Sequence, residues 1–244
     1  MQDHLPSDIV SMEVISMETS KANATRAMAI TATLTLFVTG FEIFMAYTHY
    51  KQGMNFIDIG SYVTSNRYFY YLILIAANMI LLPGAVLLFK ENGISLKEEI
   101  LGKKTSWKDI LIGIIALALS GVAALIQTFV CMGQTDLAFK ADRPSVGITI
   151  MGVIALVFVS GIVKEILFRG LAKVFCGPVM GEMCALILFN VMFTMLDWYN
   201  FGFSFILGLI CIWAYKKTGH LIAPMIAHGG INLIALVYWI VVTG

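Results

Sequence analysis

Seven apolar stretches follow one another along this chain, at about 27–48, 68–89, 110–132, 148–175, 181–197, 201–215 and 221–243. An α-helix rises 1.5 Å per residue, so roughly 20 residues cross the ~30 Å hydrocarbon of a bilayer. The first three stretches and the last meet that length. The fifth and sixth are shorter and predict tilted partners within a bundle. Barrel strands are excluded, because they alternate in polarity over about 10 residues, and these runs are longer and unbroken. Inside lipid every backbone N–H and C=O must find its partner within the protein, which a helix achieves alone. The expected fold is therefore an all-α polytopic membrane protein, a bundle of about seven transmembrane helices. Composition agrees: 59% of residues are hydrophobic and 13% charged, against about half and a quarter in soluble domains.

Residues 1–26 precede the first apolar run and carry Asp3, Asp8, Glu13 and Glu18. A cleaved signal would be basic there, so the segment reads as a cytoplasmic, partly ordered lead-in. Residues 27–244 read as a single transmembrane domain, since no polar stretch is long enough to build a second core. Basic residues sort between alternate loops. Lys21, Arg26, Lys90, Lys97, Lys103, Lys104, Lys108, Arg169, Lys173, Lys216 and Lys217 fall on one side; only Lys51, Arg67, Lys140 and Arg143 fall on the other. Positive charge stays in the cytoplasm, so the amino terminus is expected there and, with seven crossings, the carboxyl terminus outside.

The four cysteines, Cys131, Cys176, Cys184 and Cys211, form no Cys-x-x-Cys pair, and read as small apolar residues. No basic block interleaved with aromatics points to nucleic acid. The partners expected are membrane lipid and a membrane peptide or membrane protein.

Ionisable residues inside spans are the informative ones, because each costs about 2.5–3.5 kcal/mol at a helix centre. Three places break the apolar pattern. Gly161-Ile162-Val163-Lys164-Glu165-Ile166-Leu167-Phe168-Arg169-Gly170 lies deep in the fourth run. Glu165 and Arg169 are four apart and share a helix face, whereas Lys164 and Glu165 differ by about 100° on an α-helix. Phe193-Thr194-Met195-Leu196-Asp197 closes the fifth run, and His228-Gly229-Gly230-Ile231-Asn232 lies within the seventh. His228 and Asn232 project from one face, and the glycines between them allow a neighbouring backbone to approach. Glu42 in the first span has no partner that the sequence names. Asn78 and Pro83 interrupt the second span.

Taken together, the three segments resemble the CPBP family of intramembrane endopeptidases (CAAX prenyl proteases and bacteriocin-processing enzymes, also called the Abi family). The resemblance covers about 97–240 and implies a CPBP-type core there. It includes Ser106-Trp107-Lys108-Asp109 and the stretch from Tyr215 to Pro224. The family's motifs are Glu-Glu-x-x-x-Arg, Phe-x-x-x-His and His-x-x-x-Asn. They imply that the first Glu and the second-motif His activate water, and that the third-motif His and Asn stabilise the oxyanion. Glu165 matches the second Glu, Arg169 the Arg, Phe193 the Phe, and His228 and Asn232 the third motif. Lys164 stands where the catalytic Glu would be, and Asp197 where the His would be.

That exchange turns a Glu–His dyad into a Lys–Asp pair of opposite polarity, and a direct ion pair between Lys164 and Asp197 is expected. A protonated amine cannot take a proton from water. The reading is a pseudoprotease: a membrane protein that binds a peptide or protein partner, with peptidase activity absent or strongly reduced. The alternative is an active endopeptidase with Glu165 as base and Asp197 orienting water or, alongside His228, a divalent metal. A transporter or channel subunit is a third class. No cofactor is otherwise expected. The resemblance implies a bacterial plasma membrane setting, in bacteriocin immunity, peptide-signal maturation or surface-protein regulation.

Overall fold

The computed structural model describes the backbone of residues 7–51, 67–102, 104–130, 145–200 and 202–243. Of the residues singled out above, Asp3, Lys103, Cys131, Lys140 and Arg143 lie outside that set, as do the side chains of Asp8, Glu13 and Arg67.

Among the described residues the regular structure is helical throughout. Helix α1 spans Ser7–Tyr50 and α2 Arg67–Glu91. The short α3, Leu96–Leu101, is capped by the Ser95 hydroxyl, which accepts from the Glu98 N–H. Helix α4 runs Trp107–Val130, α5 Val146–Met180, α6 Glu182–Met195, α7 Phe203–Thr218 and α8 Ile222–Thr243. Apart from α3, each contains one of the seven apolar runs. Five of them are long and apolar enough to cross a membrane; α6 is a shorter apolar helix. The protein is an integral membrane protein.

The helices are turned outward by their apolar side chains. Leu36, Ile80, Leu125, Phe158 and Ile234 are exposed, while Thr31, Thr35, Thr39, Glu42, Asn78, Lys164, Glu165, Arg169, Asn190 and His228 are buried. This inverts the soluble pattern, because lipid solvates apolar groups and the bundle interior must solvate polar ones.

Two packed regions build the interior. One is bulky and joins α1, α2, α5 and α6 through residues such as Leu34, Leu88, Phe89, Leu167, Phe168, Phe189 and Phe193. The other joins α4, α7 and α8 through small residues, Ala116, Ala214, Ala223 and Ala227, with Cys211. Small side chains let helices approach closely where no hydrophobic force drives them together. One close approach is between α5 and α8. A Cβ on Gly161 would lie 2.5 Å from the Gly229 Cα and 2.8 Å from its nitrogen, so Gly161 is the neighbour that the His228–Asn232 glycines admit.

Basic residues gather at the end of the bundle where α2, α5 and α7 terminate. Arg26 pairs with Glu91 at 2.7 Å, Lys216 with Glu182 at 3.9 Å, and the Lys173 amine donates to the Gly219 carbonyl at 2.9 Å. Residues 7–26 do not form a separate segment: they continue α1 in one helix, with Asn23 bonded to Asn92 at 2.6 Å. Asn78 and Pro83 leave α2 unbroken; the Asn78 amide donates to the Leu74 carbonyl at 2.8 Å.

Candidate functional site

Helix α5 carries the first segment of the site, and its winding is unusual. Over Val153–Val163, Ile166–Gly170 and Ala172–Cys176 the backbone is π-helical. The Lys164 N–H donates to Val159 O, and the Leu171 N–H to Ile166 O. Bonds of this i→i+5 type widen the helix and occur mostly as single turns, often at functional sites. The spacing argument from sequence takes a regular α-helix here, and no residue pattern in the run announces the wider one.

Glu165 and Arg169 nevertheless meet, at 3.2 Å between Oε1 and Nη1, with side chains 0% and 1% exposed. The same Oε1 lies 2.7 Å from Nδ1 of His228 on α8. Arg169 Nη2 donates to Asn190 Oδ1 on α6 at 3.2 Å, and the Asn190 amide donates to the Phe205 carbonyl on α7 at 3.1 Å. Four helices are thereby tied through one buried chain of polar contacts. Phe193 packs against it: its ring centroid lies 4.1 Å from the Arg169 guanidinium carbon and 5.3 Å from the His228 ring, edge to face. Buried charge is tolerated in this way when it is paired and hydrogen-bonded.

Lys164, Asp197 and Asn232 are placed differently from expectation. Lys164 is buried, and its amine lies 5.9 Å from the Phe193 ring centroid. The direct Lys164–Asp197 ion pair is not formed among the described residues. Asp197 lies beyond the end of α6, in a turn where its N–H donates to Thr194 O. From there its carboxylate accepts from the Ser204 hydroxyl at the start of α7, at 3.5 Å. The Phe193 ring lies one turn earlier and takes up the amine instead. His228 and Asn232 share a face of α8 but serve different partners: the Asn232 amide donates to the Leu156 carbonyl of α5 at 2.8 Å. Among the described residues, no three His, Cys, Asp or Glu side chains converge as a metal-ligand set.

Residues 146–234 match the family model of the Rce1-like proteins, described as type II CAAX prenyl endopeptidase Rce1-like. The match covers less than half of the chain. The matched stretch runs from the start of α5 into α8, and so contains Lys164, Glu165, Arg169, Asn190, Phe193, Asp197, His228 and Asn232. Neither the curated proteins nor the solved structures gave a match.

Two residues of this buried polar cluster escape the sequence reading. Asn190 is three residues before Phe193 on the same helix face, and an amide in an apolar run is a signal of an inward-facing group. Gly208 has no such signal. A Cβ there would collide with the Asn190 side chain and lie 2.7 Å from Arg169 Nη2, so this glycine is the space into which the two side chains fit.

Proposed function

We propose that this CAAX-protease-family protein binds a peptide or protein partner within the membrane, and that its hydrolytic activity is absent or strongly reduced. The observation that carries the reading is what stands at the position of the water-activating acid. Lys164 puts an amine where the resemblance places a carboxylate, so the carboxylate base that would take the proton from water is missing there. The adjacent carboxylate, Glu165, is engaged through Oε1 by both Arg169 and His228. Asp197, at the position of the second-motif histidine, accepts from the Ser204 hydroxyl at the start of α7 and forms no ion pair with Lys164. Binding needs no base, so a buried polar site between α5, α6 and α8 keeps its capacity to hold a polar backbone. The matching family model is described as that of a CAAX prenyl endopeptidase, which makes a prenylated peptide the first ligand to test. Charge distribution favours an amino terminus in the cytoplasm, and the family resemblance favours a bacterial plasma membrane.

One observation favours a second reading, an active endopeptidase with reassigned roles. Glu165 Oε2 is buried and has no protein partner, so a water bound there would face a carboxylate. A cleavage assay in proteoliposomes with a co-reconstituted prenylated peptide separates the two. The wild-type chain is expected to be inactive, and Lys164→Glu combined with Asp197→His to gain cleavage. Wild-type cleavage that Glu165→Ala abolishes would replace the first reading with the second.

A further inference from the structure

The hydrogen-bonding state of His228 follows from its neighbours. Its Nδ1 lies 2.7 Å from Glu165 Oε1, with side chains 4% and 0% exposed. Arg169 pairs with that same oxygen at 3.2 Å. A carboxylate has no hydrogen to give, so the hydrogen of the Glu165–His228 bond belongs to Nδ1. Arg169 already matches the single negative charge of Glu165. A second positive charge, on the imidazole, would stand unmatched beside that guanidinium in the bundle interior. The ring is therefore neutral, with its hydrogen on Nδ1, and Nε2 carries a lone pair. Phe193 packs edge to face against the ring, 5.3 Å between centroids. Among the described residues Nε2 has no protein hydrogen bond.

The other third-motif residue is spent in the same direction. The Asn232 amide donates to Leu156 O at 2.8 Å. Stabilising an oxyanion, the role that the resemblance implies for both, requires donors. Here the hydrogen of His228 goes to Glu165 and one of Asn232 goes to Leu156. What His228 keeps for a ligand is an acceptor. A water donates to that lone pair as well as a ligand does, so the lone pair does not by itself call for one. It decides how a ligand is held: a group that displaces the water must bring a hydrogen of its own. A peptide brings one on its backbone N–H, whereas a carbonyl oxygen would set lone pair against lone pair.

We propose that His228 Nε2 is the hydrogen-bond acceptor of the peptide-binding site and takes one backbone N–H of the bound segment, with Glu165 as the residue that positions it. The proposal rests on the peptide-binding reading above. It reverses the polarity that the resemblance implies for His228.

Two measurements on the full-length protein in lipid nanodiscs test it. The first needs no ligand. The chain has four histidines, and replacing His4, His49 and His220 by Gln leaves His228 alone. Nitrogen NMR of its isotope-labelled ring then reports where the hydrogen sits. Nδ1 is expected to be protonated and Nε2 bare. A hydrogen on Nε2, in the other tautomer or in an imidazolium, would overturn the proposal. Glu165→Gln, whose amide can donate to Nδ1, should move the hydrogen to Nε2, by the logic of a carboxylate that sets a histidine tautomer. A spectrum unchanged by that substitution would remove Glu165 from its positioning role. The second measurement compares a farnesylated CAAX-type peptide with ester analogues in which one backbone N–H at a time is replaced by oxygen. One ester position is expected to bind about tenfold more weakly than the amide, the worth of about one hydrogen bond. His228→Phe, which keeps a flat ring and removes the lone pair, should lower amide binding to the ester's level and abolish the difference. Glu165→Gln should abolish it too, through the altered ring. Esters that bind as tightly as the amide at every position, or a His228→Phe variant that keeps the difference, would overturn the acceptor role and leave peptide binding intact. If wild type binds neither probe, the acceptor role and the peptide-binding reading fall together.

Discussion

The two sides of the buried site contrast in how they handle charge. On the side facing α7 and α8, Glu165, Arg169, His228 and Asn190 are joined by contacts of 2.7 to 3.2 Å. On the side facing α1, Glu42 has no hydrogen-bond partner, Lys164 rests on an aromatic ring, and Asp197 has one hydroxyl at 3.5 Å. Both sides are buried and both carry charges of each sign. The first has the character of structure: its groups tie four helices together, with Glu165 Oε2 left without a protein partner. The second is satisfied less completely, the two Glu42 oxygens having no protein partner. The lesson is that burial and charge alone do not separate a structural network from a binding site; partner count does.

That contrast can be broken most severely from its structural side. Arg169→Met would leave Glu165 buried without its cation, and removing one partner of a buried pair costs about 3–5 kcal/mol. Thermal unfolding in detergent micelles should show a large loss of stability. A variant that melts like wild type would mean that this side is no more structural than the other. The opposite sign is expected across the site. Glu42→Leu combined with Lys164→Met replaces two buried polar side chains with apolar groups of similar size, and should leave stability unchanged or raise it in the same assay. A marked loss would show that the two residues already satisfy each other. The smallest effect sharpens how α1 is placed. Thr39→Val removes one interhelical hydroxyl bond, worth about 0.6 kcal/mol in a membrane bundle. Its melting temperature should fall only slightly.

Much of the architecture is legible in the order of residues. The seven apolar runs coincide with seven helices because a backbone in lipid has few ways to satisfy itself, and length then sets the span. Gly229 and Gly230 announce a close helix crossing, though not that Gly161 is the partner. Glu165 with Arg169 is legible from spacing. The Lys164–Asp197 pair is not. Its charges invite pairing, but Asp197 sits in the turn beyond α6, where Ser204 of the next helix reaches it first. Asn190 escapes because it stands outside the motifs. Its role as the amide that holds Arg169 depends on the gap left by Gly208, on the following helix.

What the sequence determined alone is therefore the solvent of this protein, the helical form of its apolar runs and the identity of the residues that lipid cannot tolerate. These follow from local energetics, since each residue carries its own transfer cost and each helix closes its own hydrogen bonds. Which of the intolerable residues would neutralise one another was decided only by tertiary structure. That choice depends on helix register, on a widened turn in α5 and on absent side chains at Gly161 and Gly208, all of them properties of pairs of segments far apart in the chain.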